Sequence, residues 1–374
     1  MQTPFNFGRT VKSECFTNRE QEIKKLSSNF QNRINTIIIS PRRWGKSSLV
    51  EKVAAQVRAK SLKVITIDLF GTRTEEEFYN TLTNAVIKAT SSKAEEWIEL
   101  GKKFLKSITP KFTVELGDKH NVSMELDHET IKKYYKELLD LPEKVAKEKN
   151  IDIVICIDEF QNIGTFSDHL ALQKRLRSAW QHHERVTYCL YGSKQHMMME
   201  LFNKQSNPFY KFGELLYLPK ITEQKWISYI SRQFQKTKKE ISTLQAAKIA
   251  QTVKCHPYYA QQLSHLVWIN TDKKVTEAIL FQSTQELLDQ NAILYFKEAE
   301  DLNNTELNLM RAIAKNEKQL SSRDTIQRYR LGTSANVIKA KNTLIDKEII
   351  DIHNGVAVFI DPVFELWFTQ HLGN

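Results

Sequence analysis

The sequence has few cysteines and no long apolar run, and both absences limit the class of protein. Its 374 residues include only four cysteines, none in a CxxC pair, so neither a zinc site nor a disulfide framework is supported. No stretch approaches the roughly 18 continuous apolar residues of a membrane span. The N-terminus MQTPFNFGRT also lacks the apolar core of a signal peptide. These features predict a cytoplasmic protein without a membrane span.

The charge balance is basic, with 54 Lys and Arg against 44 Asp and Glu and a net charge of +10. Such a surplus favours anionic partners, among them nucleotides, nucleic acid and membrane headgroups, without choosing between them. Hydrophobic residues make up 41% of the chain, which is enough to form the cores of two or three domains.

Three regions of different pattern follow one another along the chain. Residues 1–219 alternate short β-branched runs with amphipathic patterns, which predicts an α/β domain with a parallel sheet flanked by helices. The nearly continuous apolar runs predict interior strands at Thr36–Ser40, Lys63–Leu69, Ile151–Ile157 and Val186–Tyr191. Residues 111–126 alternate apolar and polar side chains around GDKHN, which predicts a β-hairpin insertion. This hairpin either packs against the sheet domain or serves as a binding arm.

The remaining sequence predicts two smaller domains. Residues 220–299 have almost continuous helical spacing of apolar residues, which is typical of a small helical lid. Residues 300–374 run helix, helix, a turn at Gly332, Thr333 and Ser334, helix, and then the strand pair EIIDI and VAVFI. That order predicts a winged helix-turn-helix.

The strongest motif is TIIISPRRWGKSSLVEKV, in which a β-branched strand runs into a loop and a helix that begins at Lys46. A loop of this shape points successive backbone N–H groups into one concavity at the positive end of a helix, where a triphosphate is held. Lys46 would bridge the β- and γ-phosphates of ATP, and the Ser47 hydroxyl would ligate Mg²⁺. The motif GxxxxGK[ST] begins with glycine, whereas this chain has Ser40, so the first turn is expected to differ. The predicted ATP-binding residues of the loop are Ser40, Pro41, Arg42, Arg43, Trp44, Gly45, Lys46, Ser47 and Ser48.

A second motif, IDIVICIDEFQNI, is an apolar strand that ends in two carboxylates. Asp158 would complete the Mg²⁺ site, and Glu159 would polarise the water that attacks the γ-phosphate. The alternative for such a pair is helix capping. A further strand, VTYCLYGS, ends in Ser193, whose hydroxyl either senses the γ-phosphate or the attacking water, or belongs to an ordinary helix-entry turn. The predicted catalytic residues are therefore Glu159, Lys46 and Ser193.

Together with CFTNREQEI, NPFYKFGELLYLPKI, KCHPYYAQQL and VFIDPVFELWF, these motifs resemble the archaeal-type ATPase family of AAA+/STAND-like P-loop NTPases over nearly the whole chain. The resemblance implies an AAA+-like nucleotide domain, a helical lid and a C-terminal winged helix. It also implies that Arg19, within FTNRE, lies near the adenine side of the nucleotide. His256 and Pro257 correspond to the lid motif that approaches the nucleotide, although Cys255 replaces the more usual glycine. The alternative for His256 and Pro257 is a helix break within the lid.

Hydrolysis by AAA+ rings normally relies on an arginine finger from a neighbouring chain, and this sequence offers no strong candidate. Lys211 stands where related sequences often have arginine, and Arg185 is another basic residue near that sheet edge. Lysine lacks the planar fork that binds phosphate oxygens bidentately. We therefore expect slow turnover and a nucleotide-driven switch.

The winged helix leaves the class of function open. In its third helix a buried stripe is predicted at Val337, Ala340 and Leu344. The opposite face carries Asn336, Lys339 and Thr343, and three arginines precede it, Arg323, Arg328 and Arg330. This surface either binds DNA or packs on the lid or a protein partner. Three functions follow: a slow ATPase switch, a DNA-binding regulator controlled by nucleotide, and a nucleotide-binding interaction protein, self-associating or not, that scarcely hydrolyses ATP.

Overall fold

The computed structural model describes residues 3–8, 19–58, 61–91, 99, 103, 111–114, 122–353 and 355–373. They form two compact units. One unit is Arg19–Pro219, and the other contains the remaining described residues. The predicted domains 1–219, 220–299 and 300–374 stay predictions. The chain passes from the first unit to the second between residues 219 and 220, and residues 3–8 belong to the second unit.

The first unit is a five-stranded parallel sheet with helices, and its strand order is β2-β5-β6-β1-β7. Its helices are α1 (Glu20–Gln31), α2 (Lys46–Val57), α3 (Glu75–Thr90), α4 (His128–Lys149), α5 (His169–Trp180) and α6 (Gln195–Asn203), with a 3-10 helix at Phe160–Thr165. Its strands are β1 (Thr36–Ile39), β2 (Leu62–Asp68), β3 (Lys111–Val114), β4 (Val122–Glu125), β5 (Asp152–Asp158), β6 (Val186–Gly192) and β7 (Glu214–Tyr217). The predicted α/β fold is confirmed.

The four predicted strands lie within one residue of their expected bounds, but one of them was assigned to the wrong place in the sheet. Strands β1, β5 and β6 are interior, whereas β2 is an edge strand, so its prediction as an interior strand is wrong. Its polar residues Lys63, Thr66 and Asp68 are exposed, which an edge position allows. The other edge is β7, which was not predicted because its short run ELLY has neither the length nor the burial of an interior strand.

Strands β3 and β4 pair antiparallel at the place of the predicted hairpin; residues 115–121 between them lie outside the described residues. Asn80 of α3 binds the chain immediately after β4. Its Nδ2 donates to the Leu126 carbonyl at 3.0 Å, and the Leu126 N–H donates to its Oδ1 at 2.8 Å. These two bonds attach the end of the hairpin to α3.

An aromatic cluster packs against strand β6 in the core of the first unit. The Trp180 ring stacks on Tyr188 with centroids 4.0 Å apart. Phe160, Phe209 and Phe212 pack around the same indole. All five rings are buried, and aromatic pairs of this kind add to the free energy gained from burial alone. The cluster fixes α5 and the 3-10 helix against β6, and therefore the chain that follows β5.

The described residues of the second unit form helices and an antiparallel strand pair. Its helices are α7 (Glu223–Lys236), α8 (Thr243–Thr252), α9 (Pro257–Ile269), α10 (Glu277–Glu300), α11 (Asn304–Ala314), α12 (Arg323–Arg328), α13 (Ser334–Asp346) and α14 (Pro362–His371), and its strands are β8 (Ile350–His353) and β9 (Val356–Phe359). The order α11, α12, α13, β8, β9 confirms the winged helix-turn-helix. The predicted stripe of Val337, Ala340 and Leu344 is buried.

One hydrophobic core runs through this second unit, from Phe5 near the N-terminus to Trp226 of α7 and Trp367 of α14. Helix α14 was not predicted, and its aromatic residues are part of that core. None of the helices in the described part of the chain combines the length and the apolar character that a membrane crossing requires.

Candidate nucleotide site

The predicted phosphate loop joins β1 to α2 and turns through two residues with left-handed backbone conformation. These are Arg43, with φ 59°, and Gly45, with φ 89°, which is the N-cap of α2. Glycine suits the second position because it adopts positive φ without steric penalty. Ser40 is not a positive-φ residue. Ser40, at the position of the motif's first glycine, therefore introduces no backbone strain. The first turn of the loop does not require a left-handed residue at this position.

The Lys46 ammonium lies inside this loop and is buried. Its Nζ donates to the carbonyl oxygens of Ser40 and Pro41, each at 2.9 Å, and lies 3.4 Å from the Ser40 hydroxyl. An ammonium group carries three donors and no acceptor. Phosphate oxygens that enter the loop would therefore replace the neutral Ser40 and Pro41 carbonyls as acceptors of the Lys46 ammonium, whose positive charge already lies in the loop.

Ser47 and Asp158 meet at the carboxyl end of β5. The Ser47 hydroxyl donates to Asp158 Oδ2 at 2.7 Å, and the Glu159 N–H donates to Asp158 Oδ1 at 2.8 Å. Burial raises the pKa of Asp158, although these two hydrogen bonds and the nearby Lys46 act in the opposite direction. A carboxylate that is costly to ionise when buried is stabilised by a cation beside it.

This pair fits Mg²⁺ bound with a nucleotide. The Ser47 oxygen uses its proton toward Asp158 and keeps lone pairs for a cation, and the Asp158 carboxylate would be the second protein group to hold it. Among the described residues, no three His, Cys, Asp or Glu side chains form a metal-binding group. Phosphate oxygens and water would supply the other ligands, which is the usual manner of Mg²⁺ binding at phosphates.

Glu159 follows Asp158 with a left-handed backbone, φ 51°, and its carboxylate lies beside the end of β6. Its Oε2 accepts from the Ser193 hydroxyl at 2.9 Å and from the Ser193 N–H at 3.3 Å. Neither residue caps a helix with its side chain: the 3-10 helix has no side-chain cap from Glu159, and Ser193 binds Glu159 instead. The structure thus brings together Lys46, Ser47, Asp158, Glu159 and Ser193.

One polar residue at this place was missed in the sequence. Gln161, the second residue of the 3-10 helix, is buried and donates from Nε2 to Glu159 Oε2. The only signal was a glutamine two positions after the candidate base in DEFQ, and its position beside Glu159 depends on the turn after β5.

Arg19 was predicted near the adenine, and the residues of its motif that precede it, Phe16 to Asn18, lie outside the described residues. The Arg19 guanidinium is buried and donates to the Pro219 carbonyl at 2.7 Å, to Trp44 of the phosphate loop at 3.4 Å and to Glu22 at 3.3 Å. Burial lowers its pKa. Arg19 therefore connects the phosphate loop to the last residue of the first unit, and its position near the adenine side of a nucleotide stays a prediction.

His256 and Pro257 belong to the second unit. Cys255 has φ 58°, the left-handed conformation that a glycine at this position would favour, and burial raises the pKa of its thiol. His256 is buried, and Pro257 is the first residue of α9, where its fixed φ and missing N–H are tolerated. A helix break is thus present at this motif, and its approach to a nucleotide stays a prediction.

The two basic residues considered as finger candidates differ in exposure. Lys211 is exposed, with φ 52°, and its ammonium lies 5.4 Å from the Tyr210 ring centroid. It lines a cavity of about 310 Å³ together with Phe202, Phe209 and Leu215. Arg185 is partly buried, and its backbone N–H donates to Glu143 at 3.0 Å.

In this parallel sheet the first strand leads through a glycine-capped loop to a helix that starts with Lys46 and Ser47. Two carboxylates lie at the end of β5. Together these features define a P-loop NTPase fold of the AAA+ type. A family model described as an ATPase domain predominantly from Archaea matches residues 16–262. The chain belongs to this family of ATPases. A second model, described as a probable winged helix domain, matches residues 293–370. A comparison with curated proteins finds no match.

Solved structures resemble the chain over nearly its whole length. The Walker-type ATPase PABY2304 of Pyrococcus abyssi has a TM-score of 0.69 at 17% identity, covering 97% of this chain and 99% of that one. The ORC2 protein of Aeropyrum pernix, in ADPNP and ADP complexes, has a TM-score of 0.57 at 13% identity, covering 99% and 100%. The ORC1 protein of Aeropyrum pernix in complex with DNA has a TM-score of 0.50 at 14% identity, covering 95% and 93%. At these identities the likeness concerns the fold.

Proposed function

We propose that this ATPase-family chain binds ATP with Mg²⁺ at the phosphate loop and hydrolyses it slowly, as a conformational switch. The observation that carries the proposal is the 2.7 Å hydrogen bond between Ser47 and Asp158, which joins the phosphate loop to the end of β5 beside Glu159. The phosphate loop, the candidate cation site and the candidate base therefore lie together at the carboxyl ends of the strands.

Different residues of the site bind the phosphates, hold Mg²⁺ and activate the attacking water. Lys46 exchanges the carbonyls of Ser40 and Pro41 for oxygens of the β- and γ-phosphates. Ser47 and Asp158 would hold Mg²⁺, which when bound neutralises charge on the phosphates. Glu159 accepts a hydrogen bond from the attacking water and polarises it, and Ser193 holds the carboxylate in place.

Two observations support slow turnover coupled to a switch. Lysine stands at position 211, and its ammonium cannot form the bidentate contact by which an arginine finger stabilises the transition state. Arg19 links the Trp44 carbonyl of the phosphate loop to Pro219, where the first unit ends. Displacement of the loop by nucleotide would therefore be felt at the start of the connection to the second unit.

The test is Glu159→Gln, which removes the base and keeps the size of the side chain. ATP affinity is expected to stay near that of the wild type, while phosphate release in a single turnover falls by about 10²- to 10⁴-fold. Glu129→Gln, at an exposed glutamate of α4, is the matched control for loss of one carboxylate. Unchanged release in Glu159→Gln would overturn the assignment. Wild-type release at background, even with a partner added, would favour an interaction protein with little hydrolysis.

A nucleotide-controlled DNA-binding regulator is the second candidate. The observation in its favour is that Asn336 and Lys339 of α13, with Arg323 and Arg330 before it, are exposed on the helix-turn-helix. A neighbour of similar fold, the Aeropyrum pernix ORC1 protein, was solved with DNA. This candidate predicts affinity for duplex DNA that falls steeply with salt. Absence of binding at low salt, with and without ATP, excludes it.

A further inference from the structure

We propose that Gln161 is a positioning residue for Glu159, whose amide fixes the carboxylate with one oxygen engaged and the other available to water. This inference rests on the proposed function, because it assigns Gln161 a role in the same hydrolysis step. It adds a residue that the motifs of the sequence do not predict.

Three donors converge on a single oxygen of Glu159. The Ser193 hydroxyl, the Ser193 N–H and the Gln161 Nε2 all donate to Oε2. A carboxylate has two oxygens with about four acceptor sites, so donors spread over both oxygens would leave neither preferred. Concentrating them on Oε2 fixes the rotation of the carboxylate and leaves Oε1 as the oxygen that accepts from water.

The two elements that supply the donors approach Glu159 from different directions. Ser193 follows the end of β6, and Gln161 lies in the 3-10 helix after β5. One anchor leaves a side chain free to swing about that contact, whereas two anchors on separate elements hold it. Loss of either anchor should therefore loosen Glu159 without displacing the backbone.

Packing alone does not explain why a glutamine is buried at position 161. Gln161 is 1% exposed, and because a carboxylate can only accept, its nitrogen faces Glu159 and its Oε1 faces away. That Oε1 has no hydrogen-bond partner among the described residues. A buried acceptor without a partner is destabilising, so an apolar side chain of equal size would pack better. The reason for an amide at this position is the hydrogen bond that its nitrogen donates to Glu159.

Gly192, the last residue of β6, makes room for this amide. A Cβ built at Gly192 would lie 1.8 Å from Gln161 Oε1, far closer than any real contact. Its backbone is not in the positive-φ region, so the requirement for glycine there is steric. The neighbouring strand thus omits a side chain at the one place where Gln161 has to lie.

The decisive experiment replaces Gln161 by methionine, which keeps the volume and removes the donor. We expect kcat to fall about 10- to 100-fold, the size of effect that a displaced catalytic group produces. The Kd for ATP should stay within about twofold, because among the described residues the hydrogen bond of the Gln161 amide goes to Glu159 and not to the phosphate loop. The melting temperature should not fall, since an unpartnered acceptor is removed. Gln173→Met is the matched control, because Gln173 of α5 is also 1% exposed with an unpartnered Oε1 among the described residues.

A double-mutant comparison separates positioning from structure. If Gln161 acts through Glu159, then Gln161→Met combined with Glu159→Gln should hydrolyse ATP no more slowly than Glu159→Gln alone. Gly192→Ala should reproduce the loss of kcat by displacing the amide from the other side. Wild-type turnover in a folded Gln161→Met, or an equal further loss in the Glu159→Gln background, overturns the inference while leaving the proposed function intact. Absence of turnover in the wild type itself would instead refute the proposed function.

Discussion

Replacing Lys46 by alanine tests the phosphate loop directly. In the structure the ammonium makes two 2.9 Å hydrogen bonds, to the carbonyls of Ser40 and Pro41. Binding ATP exchanges these neutral acceptors for charged phosphate oxygens. The bonds from the ammonium to carbonyls are already charge-assisted, so the gain comes from replacing a carbonyl dipole by a full negative charge. Hydrogen bonds to charged groups contribute about 1.5–3 kcal/mol net, and the two exchanges together are expected to contribute about 2–3 kcal/mol. Lys46→Ala should therefore weaken ATP binding by about 30- to 150-fold.

The measurement is a titration with ATP and Mg²⁺ by calorimetry, repeated with Lys63→Ala. Lys63 is exposed on the edge strand β2, so its removal changes the net charge equally and leaves the loop intact. If Lys46→Ala binds ATP within about threefold of the wild type, the exchange described above does not occur. If Lys63→Ala weakens binding to the same extent, affinity arises from the overall charge of +10 and not from the loop.

Three further predictions concern pH, stability and the first loop residue. Burial raises the pKa of Asp158 above its ordinary 3.8, and only the ionised form serves Mg²⁺; the affinity for Mg²⁺ with ATP should therefore rise with pH through that raised value, a dependence that Asp158→Asn should abolish. Trp180→Ala should lower the free energy of unfolding by about 3–5 kcal/mol in urea titrations, whereas Leu244→Ala, at an exposed side chain, should change it by less than about 0.5 kcal/mol; equal effects would contradict the assigned core. Ser40→Gly should leave the Kd for ATP unchanged and lower stability by about 0.5–1 kcal/mol, because residue 40 needs no positive φ; tighter binding would show that the serine strains the loop.

The strands that could be predicted from the sequence are those whose residues are apolar because the strand is buried. Strands β1, β5 and β6 are apolar on both faces because helices cover both sides of the sheet, and a continuous Val, Ile and Leu run records that directly. Strand β7 has only four residues and alternates in exposure, so its composition resembles that of a loop. Its place in the sheet is fixed by pairing with β1, which is a long-range contact that no local pattern contains.

The same distinction holds within the candidate site. Lys46 and Ser47 follow Gly45 in one local motif, so their proximity to each other could be predicted. The contact between Glu159 and Ser193 depends instead on the register of β5 and β6, in which Ile157 pairs with Leu190. A shift of one residue would turn the side chains of one strand to the opposite face and separate the two groups. Gly192 could be read only as a turn residue until Gln161 was seen to occupy the space beside it.

Backbone conformation, more than residue type, decides how these motifs work here. A non-glycine residue in the left-handed region carries a penalty of about 1 kcal/mol or more, and Glu159 and Cys255 both adopt it. At Glu159 the left-handed turn ends β5 and starts the 3-10 helix, and the carboxylate consequently lies beside Ser193 instead of continuing along the sheet. Such strain persists only where surrounding contacts hold it, as the aromatic cluster around Phe160 does immediately after Glu159. The orientation of the candidate base therefore depends on packing beneath the 3-10 helix, so variants of that cluster should reduce turnover before they unfold the domain.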